Sequence, residues 1–427
     1  MSLSQRWQEI RTGFTPPFWV ANGTELFERL AYYGLQAVLA IYLHERLRFS
    51  EEQTGLLQGV FGFVVWFLPI FGGALADRLG FRRILSLAYL VLSVGYFLIG
   101  SITADWLAPV RAALPLYWVV FAILMVPALG PGLVKPVVAG TTARGSSEAM
   151  RSLGFSIYYT IVNIGGALGP LLASGVRSSL GVESVCYMSA LFALAMFFVT
   201  VVFFRELPVP PEHRVVTVGA AARNMLRVLL NVRVVVFLLL FSGFYVVFWQ
   251  VYVALPLYVR GYVDPHSPID ALISIEGFSV IALTVAMAWL TRKLRPITTM
   301  ASGVLITSLS WLLLTVSGAT PFIAATLVGI AIGELTQAPR YYEYVSRLAP
   351  KGQEGTFLGF AFLPIAVGYL IGGPLGGWLV RYFGTVVHRP AAMWYVVSAI
   401  GVATAALLWL YDRIVQPGRP RTGASER

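Results

Sequence analysis

Residues 24–46 read TELFERLAYYGLQAVLAIYLHER. A helix of about 20 mostly apolar residues spans a bilayer. This run is long enough, yet Glu25, Glu28 and Arg29 sit near its start. Helical spacing resolves the conflict. Glu25, Glu28, Arg29, Tyr32, Tyr33 and Gln36 fall at i, i+3, i+4, i+7, i+8 and i+11, which is one helical face. Leu26, Phe27, Leu30, Leu35 and Val38 cover the other face. Ionised side chains are costly in lipid, so such a stripe faces a water-filled cavity or a polar partner. A structural seam between helices is the alternative, although seams seldom need three charges. The segment reads as one span of a multi-pass bundle with a polar interior.

Comparable apolar runs recur at 54–76, 83–103, 113–140, 152–176, 182–204, 234–259, 270–292, 297–316, 320–346, 354–382 and 391–416. The expectation is an all-α membrane protein of twelve spans. Internal prolines and glycines, among them Pro131, Pro136, Pro339 and Gly372, are compatible with membrane helices, whose neighbours re-satisfy freed backbone groups. Composition agrees, with 57% hydrophobic and 12% charged residues in a chain of 427. A soluble domain carries about 25% charged residues, so a soluble surface and a disordered chain are both excluded. The one cysteine, Cys186, rules out a disulfide framework and a Cys-rich metal site. No apolar run follows the first fourteen residues closely enough to suggest a cleaved leader.

The net charge of +11 invites a nucleic-acid reading, but the positions of the cations oppose it. With twelve spans the Lys and Arg residues divide into 21 on the side of the termini and 7 on the other, leaving Arg29, Lys135 and Arg340 within spans. The seven are Arg46, Arg48, Arg111, Arg177, Arg260, Arg381 and Arg389. The positive-inside rule puts both termini in the cytoplasm. The longest connection, 205–233, begins with Pro208, Pro210 and Pro211 and continues as a basic amphipathic stretch around 220–232. That stretch suits a linker helix lying on the anionic inner leaflet. The expected organisation is a bundle over 1–204, a cytoplasmic linker over 205–233, a second bundle over 234–416 and a tail over 417–427. Two six-helix bundles with a site between them are the plan of a transporter.

Eight ionisable residues lie within spans: Glu25, Glu28, Arg29, Lys135, Glu276, Glu334, Arg340 and Glu343. Lys135 is the most informative, because the chain has 28 arginines and three lysines. Arginine stays protonated, whereas a desolvated lysine can lose its proton. Glu28, Arg29 and Lys135 share a depth near the cytoplasmic ends of their spans. Glu334 lies near the midplane of its span, with Gln337 and Tyr341 continuing its face. Arg340, Glu343 and Arg347 read as an ion-pair ladder that closes an inner gate or braces the helix. Glu276 has no cation in its own span. The four histidines fall in loops or at span ends, unpaired with Cys, Asp or Glu at metal spacing. No Gly-rich phosphate loop is present. No enzyme chemistry, ATP, metal or cofactor is expected.

The residues now permit a comparison. Gly73-Ala-Leu-Ala-Asp77-Arg78-Leu-Gly80-Phe81-Arg82-Arg83 resembles the loop signature of the major facilitator superfamily, with Phe81 in place of a usual basic residue. The resemblance implies the major facilitator fold, with Asp77 and Arg78 pairing with helix ends at the cytoplasmic gate. Glu25-Leu-Phe-Glu28-Arg29-Leu-Ala-Tyr32-Tyr33-Gly34 resembles the ExxER motif of the proton-dependent oligopeptide transporter family. Gly132-Leu-Val-Lys135-Pro136, the segment from Phe155 to Gly165, and Gly333-Glu334 through Pro339 with Leu348 to Gln353 resemble three further motifs of that family. The resemblance implies proton-coupled import of small peptides by alternating access. Glu25, Glu28, Arg29 and Lys135 would exchange salt bridges as protons load. Asn163 would contact the peptide, and Glu334 would receive an amino group.

Departures from the family matter as much. The arginine that greets a substrate carboxylate is replaced by Gln36. The span-seven acid is replaced by Phe248, Trp249 or Gln250, and the span-eight Asn-Pro by Glu276-Gly277. The site has lost a cation and gained an acid. The expected solute is therefore less anionic than a zwitterionic peptide, amine-bearing or cationic, held among Tyr32, Tyr33, Gln36, Asn163, Trp249, Glu276 and Glu334. Two rivals remain. One is a proton-antiport exporter of amphipathic or cationic compounds on the same scaffold; the other is a non-transporting membrane sensor. The expected protein works as a monomer in the inner (plasma) membrane, with solute, protons and lipid as partners.

Overall fold

The computed structural model describes residues 13–207, 228, 230–348 and 359–415. Most of the 205–233 connection, the loop signature beyond Leu348 and the tail lie outside the described residues.

The protein is all-α and spans the membrane many times. Its principal helices are α1 (Pro16–Ile41), α2 (Glu51–Phe67), α3 (Pro69–Leu79), α4 (Phe81–Gly100), α5 (Leu116–Gly145), α6 (Arg151–Leu180) and α7 (Val182–Phe203). The second part of the chain forms α8 (Val232–Phe248), α9 (Ala254–Tyr262), α10 (Ser274–Thr291), α11 (Pro296–Ser310), α12 (Thr320–Leu348), α13 (Leu363–Arg381) and α14 (Met393–Val415). Among the described residues, 11 helical stretches are long and apolar enough to cross a membrane. α1 is as long, at 26 residues, but its three charges keep it out of that set.

Several boundaries differ from the expected ones for local reasons. α1 begins at Pro16, earlier than 24, because prolines at its first positions have no N–H to leave unpaired. The second span is two helices, since Pro69 supplies no amide to the ladder. Ser50 opens α2 with a capping box: its Oγ accepts from Gln53 N at 3.2 Å, and Gln53 Oε1 accepts from Ser50 N at 3.1 Å. The seventh span is broken by a tight turn over Trp249–Val251, which brings Trp249 and Tyr252 into the interior. Gly80 joins α3 to α4 at φ 92°, a left-handed conformation that favours glycine. The Glu206 carboxylate then caps α4, accepting from Phe81 N at 2.7 Å and Arg82 N at 3.0 Å.

Two helix pairs carry most of the packing between the N-terminal and C-terminal parts of the chain: α2 against α13 and α6 against α10. The first is a seam of small residues. A Cβ on Gly59 would come 2.8 Å from Pro374 Cδ and 2.9 Å from the Tyr369 carbonyl, so only glycine permits the approach. Outward faces remain apolar, as with Leu191 and Phe198 on α7 and Val285 and Trp289 on α10. Lipid, not water, solvates such a surface.

Candidate functional site

Between the two parts of the chain lies a cavity of about 1140 Å³, walled by α1, α2, α3, α5 and α6 on one side and α8, α10, α12 and α13 on the other. It runs from Tyr33 and Glu276 towards Asp77, Ala139 and Gly359. Of the residues expected to meet substrate, Tyr33, Asn163, Trp249, Glu276 and Glu334 line it, as does Lys135. Tyr32 and Gln36 do not. The Gln36 side-chain nitrogen donates to Tyr32 Oη at 2.9 Å and to Tyr369 Oη at 2.8 Å, so the amide stands behind the wall and ties α1 to α13.

Six aromatic residues that the sequence reading did not assign to the site, Trp66, Tyr158, Tyr159, Tyr245, Tyr252 and Tyr342, also face the cavity. Tyr158 and Tyr159 lie in a motif already noted, and Tyr342 follows Glu334 by eight residues on one helix. Trp249 stacks on Tyr369 with ring centroids 4.0 Å apart. Trp66 joins this group, donating its Nε1 hydrogen to Tyr32 Oη at 3.3 Å.

The buried charges form two clusters. In the first, Arg29 on α1 contacts Glu25 at 3.2 Å and also Glu28, with all three side chains at 0–1% exposure. Lys135 was expected to share these acids. Here it stands apart, its Nζ 4.2 Å from the centre of the Trp66 ring. Among the described residues it has no carboxylate within ion-pair distance. Among the described residues, Arg29 is the cation in direct contact with the glutamates in this conformation.

In the second cluster, Glu276 in the first turn of α10 and Glu334 on α12 both line the cavity. Neither has an ion-pair partner among the described residues. The cavity around them is also lined by tyrosines 33, 159, 245, 252 and 342. Asn163 lines the same space, its Nδ2 donating to the Tyr159 carbonyl at 2.8 Å.

Ion pairs outside the cavity differ between the two ends of the bundle. At the end away from Asp77, three pairs join the N-terminal and C-terminal parts. Arg177 grips Asp270 with two bonds of 2.7 and 3.0 Å. Arg260 does the same to Glu45 at 2.5 and 2.9 Å, and Arg381 reaches Glu52 at 2.6 Å. The sequence reading found none of these pairs. Their cations were visible only as members of the sparse-side seven. At the other end, Asp77 pairs with Arg144 at 2.7 Å, and that guanidinium lies 4.4 Å from the centre of the Phe81 ring. Arg78 is exposed. The expected ladder exists, with Arg340 to Glu343 at 2.7 Å and Arg347 to Glu343 at 2.5 Å. Arg340 also donates to the Thr291 and Arg292 carbonyls, bracing α12 against the end of α10.

Comparison with known proteins agrees with this architecture. The sequence matches the Major Facilitator Superfamily over residues 24–363 and 267–427. The Multidrug resistance protein MdtH of Salmonella arizonae is 26% identical over 398 residues, covering 92% of this chain and 93% of that protein. Its counterpart in Escherichia coli O157:H7 strain EC4115 is 26% identical over 388 residues, covering 90% and 91%. An auto-inhibited POT-family peptide transporter has a similar structure, with TM-score 0.76 and 18% identity, over 97% of this chain and 99% of that one. A POT-family transporter in complex with 5-aminolevulinic acid matches with TM-score 0.74 and 16% identity, over 94% and 96%. The fold is that of these transporters, as the motif resemblance implies. With the superfamily match extending across the chain from residue 24 to its last, this chain belongs to the Major Facilitator Superfamily.

Proposed function

We propose that the protein is a proton-coupled secondary active symporter that imports small peptide-like, amine-bearing solutes by alternating access. One observation carries this reading: a cavity between the two parts of the chain, joined by ion pairs at one end, is lined by Glu276 and Glu334, which have no ion-pair partner among the described residues. In this reading α1 is the twelfth span, and two six-helix bundles occupy 1–204 and 234–416 around a cytoplasmic linker over 205–233. Both termini and the 417–427 tail are cytoplasmic, and the cation-poor end faces outward. The state described is then closed outside, with the cavity directed at the cytoplasm. The protein works as a monomer in the plasma membrane.

Glu25, Glu28, Arg29 and Lys135 supply the proton coupling. Protonation of a glutamate frees Arg29 or Lys135 to change partners, and the lock shifts between two arrangements. The solute bridges Tyr33 and Asn163 on one side and Trp249, Glu276 and Glu334 on the other. Tyr32 and Gln36 support that wall from behind. Asp77, Arg78, Arg340, Glu343 and Arg347 secure helix ends where the cytoplasmic gate closes.

A second reading, proton-antiport export of amphipathic cations, is supported by the relatives named as multidrug resistance proteins and by the aromatic, acidic wall. Counterflow into proteoliposomes with a panel of dipeptides, amine-bearing peptide analogues and polyamines tests the substrate class. Exchange of the amine-bearing solutes is expected. Clear preference for ordinary zwitterionic dipeptides would end the less-anionic hypothesis.

A further inference from the structure

A second pocket, of about 460 Å³, lies between the N-terminal and C-terminal parts of the chain at the end away from Asp77. No residue expected to meet solute or proton lines it. The turn after α1 supplies His44, Glu45 and Arg48, α9 supplies Arg260, and the loop after α9 supplies His266. Ile41 and Leu257 add an apolar wall.

The charges in this pocket do not cancel. Glu45 is the acid among them, and Arg260 already holds both of its oxygens. Arg260 also donates to the Ser267 carbonyl at 3.2 Å, so three of its five N–H groups are used and two are spare. Arg48 is exposed and has no hydrogen bond or ion pair among the described residues. Its backbone is held at φ 62°, in the left-handed region where glycine or asparagine is the usual choice. A long cation fixed there without a partner is free to meet a ligand.

His44 Nδ1 lies 2.8 Å from the Phe49 carbonyl, which can only accept, so that nitrogen carries the hydrogen. The other ring nitrogen has no hydrogen bond among the described residues, and it becomes a donor when the ring is protonated. The charged and titratable groups that share the pocket with this ring are Glu45 and Arg48 on its own turn, Arg260 on α9 and His266 in the loop. Glu51 and Glu52 on α2, which packs against the turn, do not line the pocket, and Glu52 is held by Arg381.

We propose that this pocket is an oxyanion site, which takes a phosphate or sulfate group, free or on a lipid head, and clamps the two parts of the chain together. Arg48 and the protonated His44 ring donate from one part; His266 and the spare N–H groups of Arg260 donate from the other. The full set of donors exists only while this end is closed, so the anion favours the closed state by its difference in affinity for the two. Binding also draws a proton onto His44, because the anion favours the charged ring. The proposal goes beyond the transport reading and holds for import and export alike.

The test is a calorimetric titration of the purified full-length protein, in uncharged detergent, with sodium sulfate at constant ionic strength. Sulfate keeps its charge between about pH 6 and pH 8, where histidine titrates, so a pH dependence belongs to the protein. One saturable site is expected, with affinity about tenfold higher at the acid end. Arg48→Asn suits the left-handed backbone and removes the cation, and it should weaken binding by roughly tenfold or more. Arg83→Asn, at an exposed arginine on the other end of the bundle, should bind sulfate as the wild type does. Asp270→Asn weakens an ion pair that joins the same end as the pocket. Spin labels across that end should show sulfate returning the lengthened distance of this variant towards the wild-type value. Absence of saturable binding, affinity no higher at the acid end, equal losses in the two arginine variants, or a distance that saturating sulfate does not change would each overturn the proposal. Displacement of sulfate by dihexanoyl phosphatidylglycerol would assign the site to a lipid head, and failure to displace it would assign a free anion; either result keeps the oxyanion site.

Discussion

Glu25 and Glu28 lie against a fully buried arginine and do not face the cavity, whereas Glu276 and Glu334 face the cavity and have no ion-pair partner among the described residues. The same side chain thus serves two ends in one molecule. In the first cluster charge is matched within the fold, so the group can act as a lock whose state changes when a proton is added. In the second no cation among the described residues pairs with the acids, which leaves them open to a ligand. The contrast divides coupling from recognition, and it can be broken by substitution.

The largest effect is expected at Arg29. Arg29→Gln leaves two buried carboxylates facing each other, and breaking a buried ion pair costs about 3–5 kcal/mol. Thermal unfolding in detergent should show a severe loss of stability, whereas Glu276→Gln should leave stability within about 1 kcal/mol, since it removes no ion-pair partner. Equal stability losses in the two variants would erase the distinction. Next comes Glu334→Gln, expected to weaken binding of a quaternary ammonium by roughly thirtyfold, about 2 kcal/mol, with little change in folding. Calorimetric titration reads this directly.

A smaller effect concerns the end that joins the two parts of the chain. Asp270 is fully buried and doubly bonded to Arg177, so Asp270→Asn should weaken closure there by about 1–3 kcal/mol. Spin labels on opposite sides of that end should report a longer mean distance in the variant. The smallest effect belongs to the exposed pair of Arg381 and Glu52, whose side chains are 51% and 41% accessible. Arg381→Gln should change the same distance distribution little, because exposed pairs contribute about 0–1 kcal/mol. A larger response there than at Asp270 would reverse the ranking.

The spans and the cavity acids were legible in the sequence because a charge inside an apolar run has few explanations. Partner choice was not. Helical spacing assigns residues to a face of one helix, but the distance from Lys135 to Glu25 depends on how α1 and α5 pack. The polar face of α1 is also wider than a single stripe. At about 100° per residue, Tyr33 stands about 60° round from Gln36. That rotation directs Tyr33 into the cavity while Gln36 points to Tyr32 and Tyr369. The further aromatic residues of the wall went unassigned because tyrosines in membrane helices carry no charge to mark them. The cross-chain ion pairs escaped because their acids, Glu45, Glu52 and Asp270, sit at helix ends far apart in sequence.

Proton coupling through Lys135 is tested most directly in proteoliposomes under an imposed pH gradient, acid outside, with a labelled amine-bearing dipeptide analogue. The account predicts accumulation above the outside concentration in the wild type. Lys135→Arg should lose that accumulation while retaining ligand binding, because arginine keeps its proton. Accumulation that is the same with and without the gradient, or pH-driven uptake unchanged in Lys135→Arg, would contradict it.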